Sequence, residues 1–78
     1  MKRGKLLLKN RSIFAKLFKR FFVFFRNSRS VHTLEINHTR LYAIIEFAWD
    51  LNIITTDEWR AMLKLIDKIY FDKEKLLP

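Results

Sequence analysis

Two histidines, His32 and His38, are the side chains of this 78-residue chain that most resemble metal ligands. They stand six residues apart, in a segment whose pattern predicts an irregular loop. A structural zinc site needs four ligands, and the chain has no cysteine to supply the others. We therefore interpret both histidines as structural or incidental, and we expect no metal and no other cofactor.

Two carboxylates, Glu46 and Asp50, stand one helical turn apart, a spacing that suits general acid–base catalysis. A chain this small has little room for a pocket around them. No serine stands in a nucleophile motif, and the single glycine, Gly4, cannot form a glycine-rich phosphate loop. We interpret the carboxylates as a solvated strip or as partners for basic residues, and we expect no catalytic residue and no enzymatic activity.

The basic residues are concentrated at one end of the chain. Residues 1–34 contain ten Lys/Arg and no Asp/Glu, whereas residues 35–78 contain six Lys/Arg and eight Asp/Glu, which gives +10 and −2 and the net +8. A concentrated basic field attracts acidic proteins, phosphate backbones and anionic lipids alike. The predicted partner-binding cations are Lys2, Arg3, Lys5, Lys9, Arg11, Lys16, Lys19, Arg20 and Arg26.

The two tryptophans receive different interpretations. Trp59 recurs at helical spacing with Met62 and Ile66, so we predict that it belongs to the core. Trp49 lies at the edge of the apolar face of its predicted helix. We therefore add Trp49 to the predicted partner-binding residues, since exposed tryptophans often anchor partners.

These side chains must be carried by helices, because the chain has no internal proline and its one glycine is close to the start. The predicted fold is all-α: a three-helix bundle built on a capped αα-hairpin, with a basic flexible N-terminus. Residues 1–11 are the predicted flexible arm. Residues 12–78 form the predicted single domain, with helices at about 12–26, 39–51 and 56–71 and a frayed end after residue 71.

The first predicted helix has an apolar arc of about 200°, wider than one packing seam requires. Three uses remain open for it: packing against the second helix, lying on an anionic membrane, or extending a basic arm on nucleic acid. We favour packing, because an amphipathic face must be buried somewhere. The arc consists of Phe14, Leu17, Phe18, Phe21, Phe24 and Phe25, with Phe22 at its margin.

The segment from residue 27 to residue 37 has the weakest pattern. Residues 27–30 read as a turn. Residues 31–36 alternate loosely between apolar and polar, as in a short extended piece. The second helix is predicted to start after an N-cap at Asn37 or Thr39.

The turn that follows the second predicted helix has the clearest local signals. Asn52 tolerates the left-handed conformation that ends many helices. Thr55 and Glu58 have the spacing of a capping box, and Ile54 with Trp59 has that of a hydrophobic staple. The short connection predicts an antiparallel helical hairpin.

This hairpin, at about residues 44–66, resembles the short C-terminal domain (SHOCT) family. The family's glycine position is occupied by Asn52. The resemblance implies an interaction or oligomerisation module rather than an enzyme. It is carried by Ile53, Ile54, Thr55, Asp57, Glu58 and Trp59, and continues through Leu63 and Ile66.

The whole chain is also similar in composition to small basic proteins from phages and mobile elements of Gram-positive bacteria. That likeness implies a non-catalytic regulator that binds a host macromolecule and inhibits or redirects it. We expect the partner to be an acidic host protein surface. The first alternative is that the chain binds nucleic acid. The second is that it is a peripheral membrane protein or toxin that binds an anionic membrane through an amphipathic helix. A homodimer is also left open.

Neither a signal peptide nor a membrane span is expected, because no apolar stretch approaches the about 20 residues that a span requires. The expected location is therefore the cytoplasm of the bacterial host, with association with the membrane surface left open.

Overall fold

Three helices make up the chain in a computed structural model: α1 (Lys2–Arg26), α2 (Val31–Asp50) and α3 (Thr56–Glu74). The structure describes the backbone of residues 2–78 and the side chains of residues 7–78. Residues 2–78 contain no strand. The predicted all-α three-helix bundle is confirmed.

The helices run up, down and up. Arg11, in the first half of α1, binds Glu58 at the start of α3, and Lys73 at the end of α3 donates to the carbonyl of Arg26 at the end of α1. Helices α1 and α3 are therefore parallel to each other and antiparallel to α2. Helix α2 lies between them and packs against both.

The core follows from the position of α2. Its buried apolar residues recur at spacings of seven, four and three, which places them on one side of the helix. Helices α1 and α3 add their own side chains from either flank. The buried apolar residues are Phe14 and Phe25 of α1, Leu34, Leu41, Ile45 and Ala48 of α2, Ile54 of the following turn, and Ile66 of α3.

Helix α1 starts ten residues earlier than predicted. Residues 2–11, predicted as a flexible arm, have a helical backbone. Most of them have high helix propensity, and extending an existing helix costs far less than nucleating one. Arg11 also ties this end of the helix to the rest of the fold through Glu58.

Helix α2 starts eight residues earlier than predicted, so the extended piece at residues 31–36 and the caps at Asn37 and Thr39 are wrong. The N-cap is Ser30, whose hydroxyl accepts a hydrogen bond from the backbone N–H of Thr33 at 3.2 Å. Leu34 is fully buried three residues before Asn37. This burial stabilises a segment whose β-branched residues favour helix only weakly.

The turn between α2 and α3 has the predicted geometry. Asn52 adopts a φ of 58°. The Thr55 hydroxyl accepts from the backbone N–H of Glu58 at 3.1 Å, and the Glu58 carboxylate accepts from the backbone N–H of Thr55 at 2.9 Å. The capping box is therefore confirmed.

The end of the chain is docked rather than frayed. The carbonyl of Pro78 accepts a hydrogen bond from the backbone N–H of Val31 at 3.1 Å. Lys73 donates to the Arg26 carbonyl at 2.6 Å, and Leu77 packs against the core. The last residues thus close the bundle beside the turn between α1 and α2.

Candidate interaction surface

The candidate site begins with four exposed cations of α1: Lys9, Lys16, Lys19 and Arg20. At 100° per residue they lie within about 100° of one another, on the side of α1 that points away from the core. Lys9 and Lys16 are two turns apart, about 10 Å along the helix. We call these four residues the cationic strip.

The cationic strip has no acidic partner within the described part of the protein. Among the side chains of residues 7–78, ion pairs join Arg11 to Glu58 and His38 to Asp67. The reason lies in the sequence, since residues 1–34 contain no Asp or Glu. The cations of the strip therefore present their positive charge to the solvent.

The remaining predicted cations of α1 fall into two groups. Arg26 is exposed at the last residue of the helix. The backbone of Lys2, Arg3 and Lys5 is helical, whereas their side chains lie outside the described residues. The cationic strip is therefore defined only by side chains between residues 9 and 20.

Arg11 has a different role from the one predicted. Its guanidinium donates to both carboxylate oxygens of Glu58, at 3.1 and 2.8 Å, and to the carbonyl of Ile53 at 2.8 Å. Such a two-point pair is among the stronger hydrogen-bond geometries. Arg11 therefore joins α1 to α3 and does not belong to the candidate surface.

The electrostatics of this pair show the same coupling. The hydrogen bond from Arg11, followed by the one from the Thr55 backbone, lowers the pKa of Glu58 from 4.5 to about 2. The same hydrogen bond and the Glu58 charge raise the pKa of Arg11. One carboxylate thus completes the capping box of α3 and anchors α1.

Trp49 is also placed away from the cations. Its ring stacks on Trp59, with centroids 4.2 Å apart and an interplanar angle of 15°. Its indole N–H donates to Thr56 at 3.2 Å, while that of Trp59 donates to Glu46 at 3.0 Å. The pair packs α2 against α3, so Trp49 lies apart from the predicted partner surface. Glu46 is engaged by Trp59 and does not pair with Asp50.

An open apolar groove runs between α1 and α2, on the side of α2 away from α3, with a volume of about 500 Å³. Ile13 and Leu17 of α1 form one wall, and Phe47 and Leu51 of α2 form the other. These side chains are 39–66% exposed, and Phe47 is the most exposed of them. We call this feature the α1/α2 groove.

The exposed walls correct the predicted core. Leu17 and Phe24 belong to the arc that was expected to pack against the second helix, and they are 39% and 53% exposed. A neighbouring helix covers one stripe of its partner, so one contact with α2 cannot cover an apolar arc of about 200°. The unusual width of the arc is the sequence signal that could have revealed the groove.

The cationic strip and the groove share an edge. On α1, Arg20 lies three residues after Leu17 and four before Phe24, and Lys9 lies four before Ile13, so these side chains are neighbours on the helix surface. On α2, the exposed Arg40 lies two turns before Phe47. The result is an apolar centre bordered by positive charge.

A second polar cluster links α2 to α3. His38 and Asp67 are 2.9 Å apart, and the hydroxyl of Tyr70 donates to Glu35 at 3.3 Å. Partial burial, with the charges of Glu74 and Glu35, raises the pKa of Tyr70. His32 and His38 both lie in α2, so the predicted loop around them is wrong.

The described residues also offer no metal centre built on these groups. No three His, Cys, Asp or Glu side chains cluster as metal ligands within the described part of the chain. His38 contacts α3 through Asp67 and through the ring of Tyr70, whose centroid lies 4.8 Å away.

A buried polar contact that the sequence did not reveal holds the turn between α1 and α2. The amide of Asn37 donates to the Ser28 hydroxyl at 3.0 Å and to the carbonyl of Phe24 at 3.3 Å. Ser28 itself donates to that same carbonyl at 3.1 Å. No buried side-chain N or O atom of residues 7–78 lacks a partner. The hydrogen bonds of Asn37 therefore hold the C-terminal end of α1 against α2.

Comparison of the chain with protein-family models, with curated proteins and with solved structures gives no match. The resemblance to the SHOCT hairpin therefore stays a prediction. None of the helices, over the residues that the structure describes, is long and apolar enough to cross a membrane.

Proposed function

We propose that this chain is a small non-catalytic regulator that binds an acidic surface of another protein and inhibits or redirects that protein. One observation carries the proposal: the cationic strip, without acidic partners among the described residues, borders an exposed apolar groove. An apolar centre with a polar rim is the usual anatomy of a protein–protein interface.

The way α1 is held supports this function. Phe14 and Phe25 are buried on one side of the helix, and Arg11 bonds it to α3. The cations of the strip therefore project from a fixed scaffold. A preorganised surface loses less conformational entropy on binding than a flexible arm does.

The groove favours a protein partner over nucleic acid. Phosphate contacts require cations, and they make no use of exposed apolar walls such as Phe47 and Leu51. Binding to nucleic acid is supported by the strip alone. The protein partner accounts for the strip and the groove together.

The proposed setting is a bacterial host cell. Its support is the compositional similarity to small regulators encoded by phages and mobile elements. In that setting the partner is a host protein with an acidic surface. In this proposal the regulator acts by occupying that surface.

A pull-down from nuclease-treated bacterial lysate tests the proposal. The bait is the tagged full chain, compared with a variant that combines Lys16→Glu and Arg20→Glu. The control combines Lys64→Glu and Lys68→Glu, two exposed cations of α3. Circular dichroism checks that all three chains are equally helical.

We expect the wild type and the α3 variant to retain a defined protein, and the α1 variant to lose most of it. Charge reversal at an interface replaces attraction by repulsion, whereas the same change elsewhere has little effect. Loss of every partner on nuclease treatment would overturn the proposal. Equal losses with both variants would overturn it too.

A further inference from the structure

We propose that the α1/α2 groove is the docking site for an amphipathic helix of the partner protein, with the apolar stripe of that helix in the groove and acidic residues along its α1-facing edge. This inference deepens the proposed function and rests on it for the existence of an acidic partner. Its own support comes from shape, spacing and charge.

The shape argument starts from the antiparallel pair α1 and α2. Two packed helices create a groove on each side of their contact. On one side α3 covers the pair, through Ile66 in the core and the bond from Arg11 to Glu58. The opposite groove is open and apolar. A helix laid in this groove would contact both α1 and α2 on the face opposite α3.

The spacing argument concerns the groove walls. On α2, the exposed residues that line the groove are Ala43, Phe47 and Leu51, at intervals of four. Such spacing keeps them on one stripe of the helix. The lining from Ala43 to Leu51 is about 12 Å long, which matches about two turns of a docked helix. Helix-in-groove recognition uses this arrangement.

The charge argument orients the incoming helix. The α1 edge of the groove carries Lys9 and Arg20, whereas Arg40 of α2 lies two turns before Phe47, beyond the end of the groove lining. Asp50 is the acidic residue near the far end of the α2 wall. A helix with Glu or Asp along the side that faces α1 would pair with Lys9 and Arg20, and a basic helix would be repelled.

A second copy of the chain fits the groove poorly. Each copy carries a net charge of +8, and a symmetric contact through this face would bring two cationic edges together.

Synthetic peptides provide the probe. One is a capped peptide of about 16 residues, long enough to fill the groove as a helix, with a leucine stripe and glutamates along one edge. The matched peptide replaces each glutamate by lysine. Both are titrated into the ¹⁵N-labelled full chain and followed by amide chemical shifts.

We expect the acidic peptide to bind at least tenfold more tightly than the basic one. Shift changes should concentrate at the groove walls around Leu17 and Phe47. Phe47→Ser should weaken binding of the acidic peptide at least tenfold. Phe71→Ser, which removes an equally accessible phenylalanine from α3, should change it less than twofold.

Three kinds of outcome would overturn the inference. The first is a lack of selectivity: both peptides bind equally, or Phe47→Ser and Phe71→Ser weaken binding of the acidic peptide equally. The second is that the groove binds vesicles of equal parts phosphatidylglycerol and phosphatidylcholine, in a Phe47-dependent way, while neither peptide binds. The third is a dimer in sedimentation that Phe47→Ser dissociates.

The pull-down separates this inference from the proposed function. A Phe47→Ser bait that retains the captured protein, while the Lys16→Glu/Arg20→Glu bait loses it, would leave the function standing and refute the groove as the docking site. Loss of the captured protein with both baits, and its retention by Phe71→Ser, supports both.

Discussion

Glu58 receives hydrogen bonds from two parts of the fold, the guanidinium of Arg11 and the backbone N–H of Thr55. These bonds keep the carboxylate ionised, so its pKa falls from 4.5 to about 2. A carboxylate with a lowered folded-state pKa stabilises the fold above its unfolded pKa. That stabilisation is lost as the pH falls through the folded value.

We therefore expect Glu58→Gln to destabilise the fold at pH 7, where the charged pair is intact, and to have much less effect near pH 2. The amide keeps an oxygen for the N-cap bond, but it removes the charge and one of the two acceptors of the Arg11 pair. Urea unfolding between pH 7 and pH 2 measures the difference, which should shrink between about pH 4.5 and pH 2. Asp72→Asn, at an exposed site, is the control. A difference that does not depend on pH would contradict the assignment.

Asn37 is the polar side chain buried in the α1–α2 contact, where it donates to Ser28 and to the Phe24 carbonyl. We expect Asn37→Ala to lower the free energy of unfolding by about 1–3 kcal/mol, because the Ser28 hydroxyl loses a buried donor. Thr39→Ala, at an exposed site on the same helix, should change it by less than about 0.5 kcal/mol. Equilibrium urea unfolding provides both values, and equal effects would show that the contact is not formed.

At the scale of the helices, local signals explain which predictions were right. The capping box of α3 needs only Thr55 and Glu58, which are three residues apart in the sequence, and both bonds form. The Ser30 cap of α2 has Thr33 at the position where a capping box has Glu or Gln. The start of α2 is instead stabilised by the burial of Leu34 against other helices. Such a long-range contact is not visible in any local sequence pattern.

The same distinction applies to the candidate site. The helical phase of α1 can be read from its sequence, so the cationic strip could be predicted. Which part of the apolar arc of α1 is covered depends on where α2 lies. The exposure of Leu17 and Phe24 therefore could not be predicted from the sequence. Arg11 was grouped with the free cations because its partner, Glu58, is 47 residues away.

The C-terminal segment is an element whose contacts can be removed as a unit. Deletion of residues 76–78 takes away the Pro78 carbonyl that Val31 donates to and the packed side chain of Leu77. We expect a loss of about 1–3 kcal/mol in the free energy of unfolding. Hydrogen exchange should also show faster exchange of the Val31 amide. Leu76→Ser, at a residue that is 83% exposed, is the control and should have little effect on either.

The whole molecule has a small core, since only eight apolar side chains of residues 7–78 are buried. A chain of this length buries a modest share of its surface, so each core side chain carries a large part of the net stability. The adjacent phenylalanines at the end of α1 test this directly. Phe25 is fully buried, whereas Phe24 is 53% exposed beside the α2 residues Asn37 and Arg40.

We expect Phe25→Ala to lower the free energy of unfolding by about 3–5 kcal/mol, the usual cost of removing a buried phenylalanine. Phe24→Ala should cost less than about 1 kcal/mol, because water already reaches that ring. Urea unfolding at two protein concentrations measures both. A large cost for Phe24→Ala that grows with protein concentration would mean that a second copy covers this face in solution, and the face would then be closed to a partner helix.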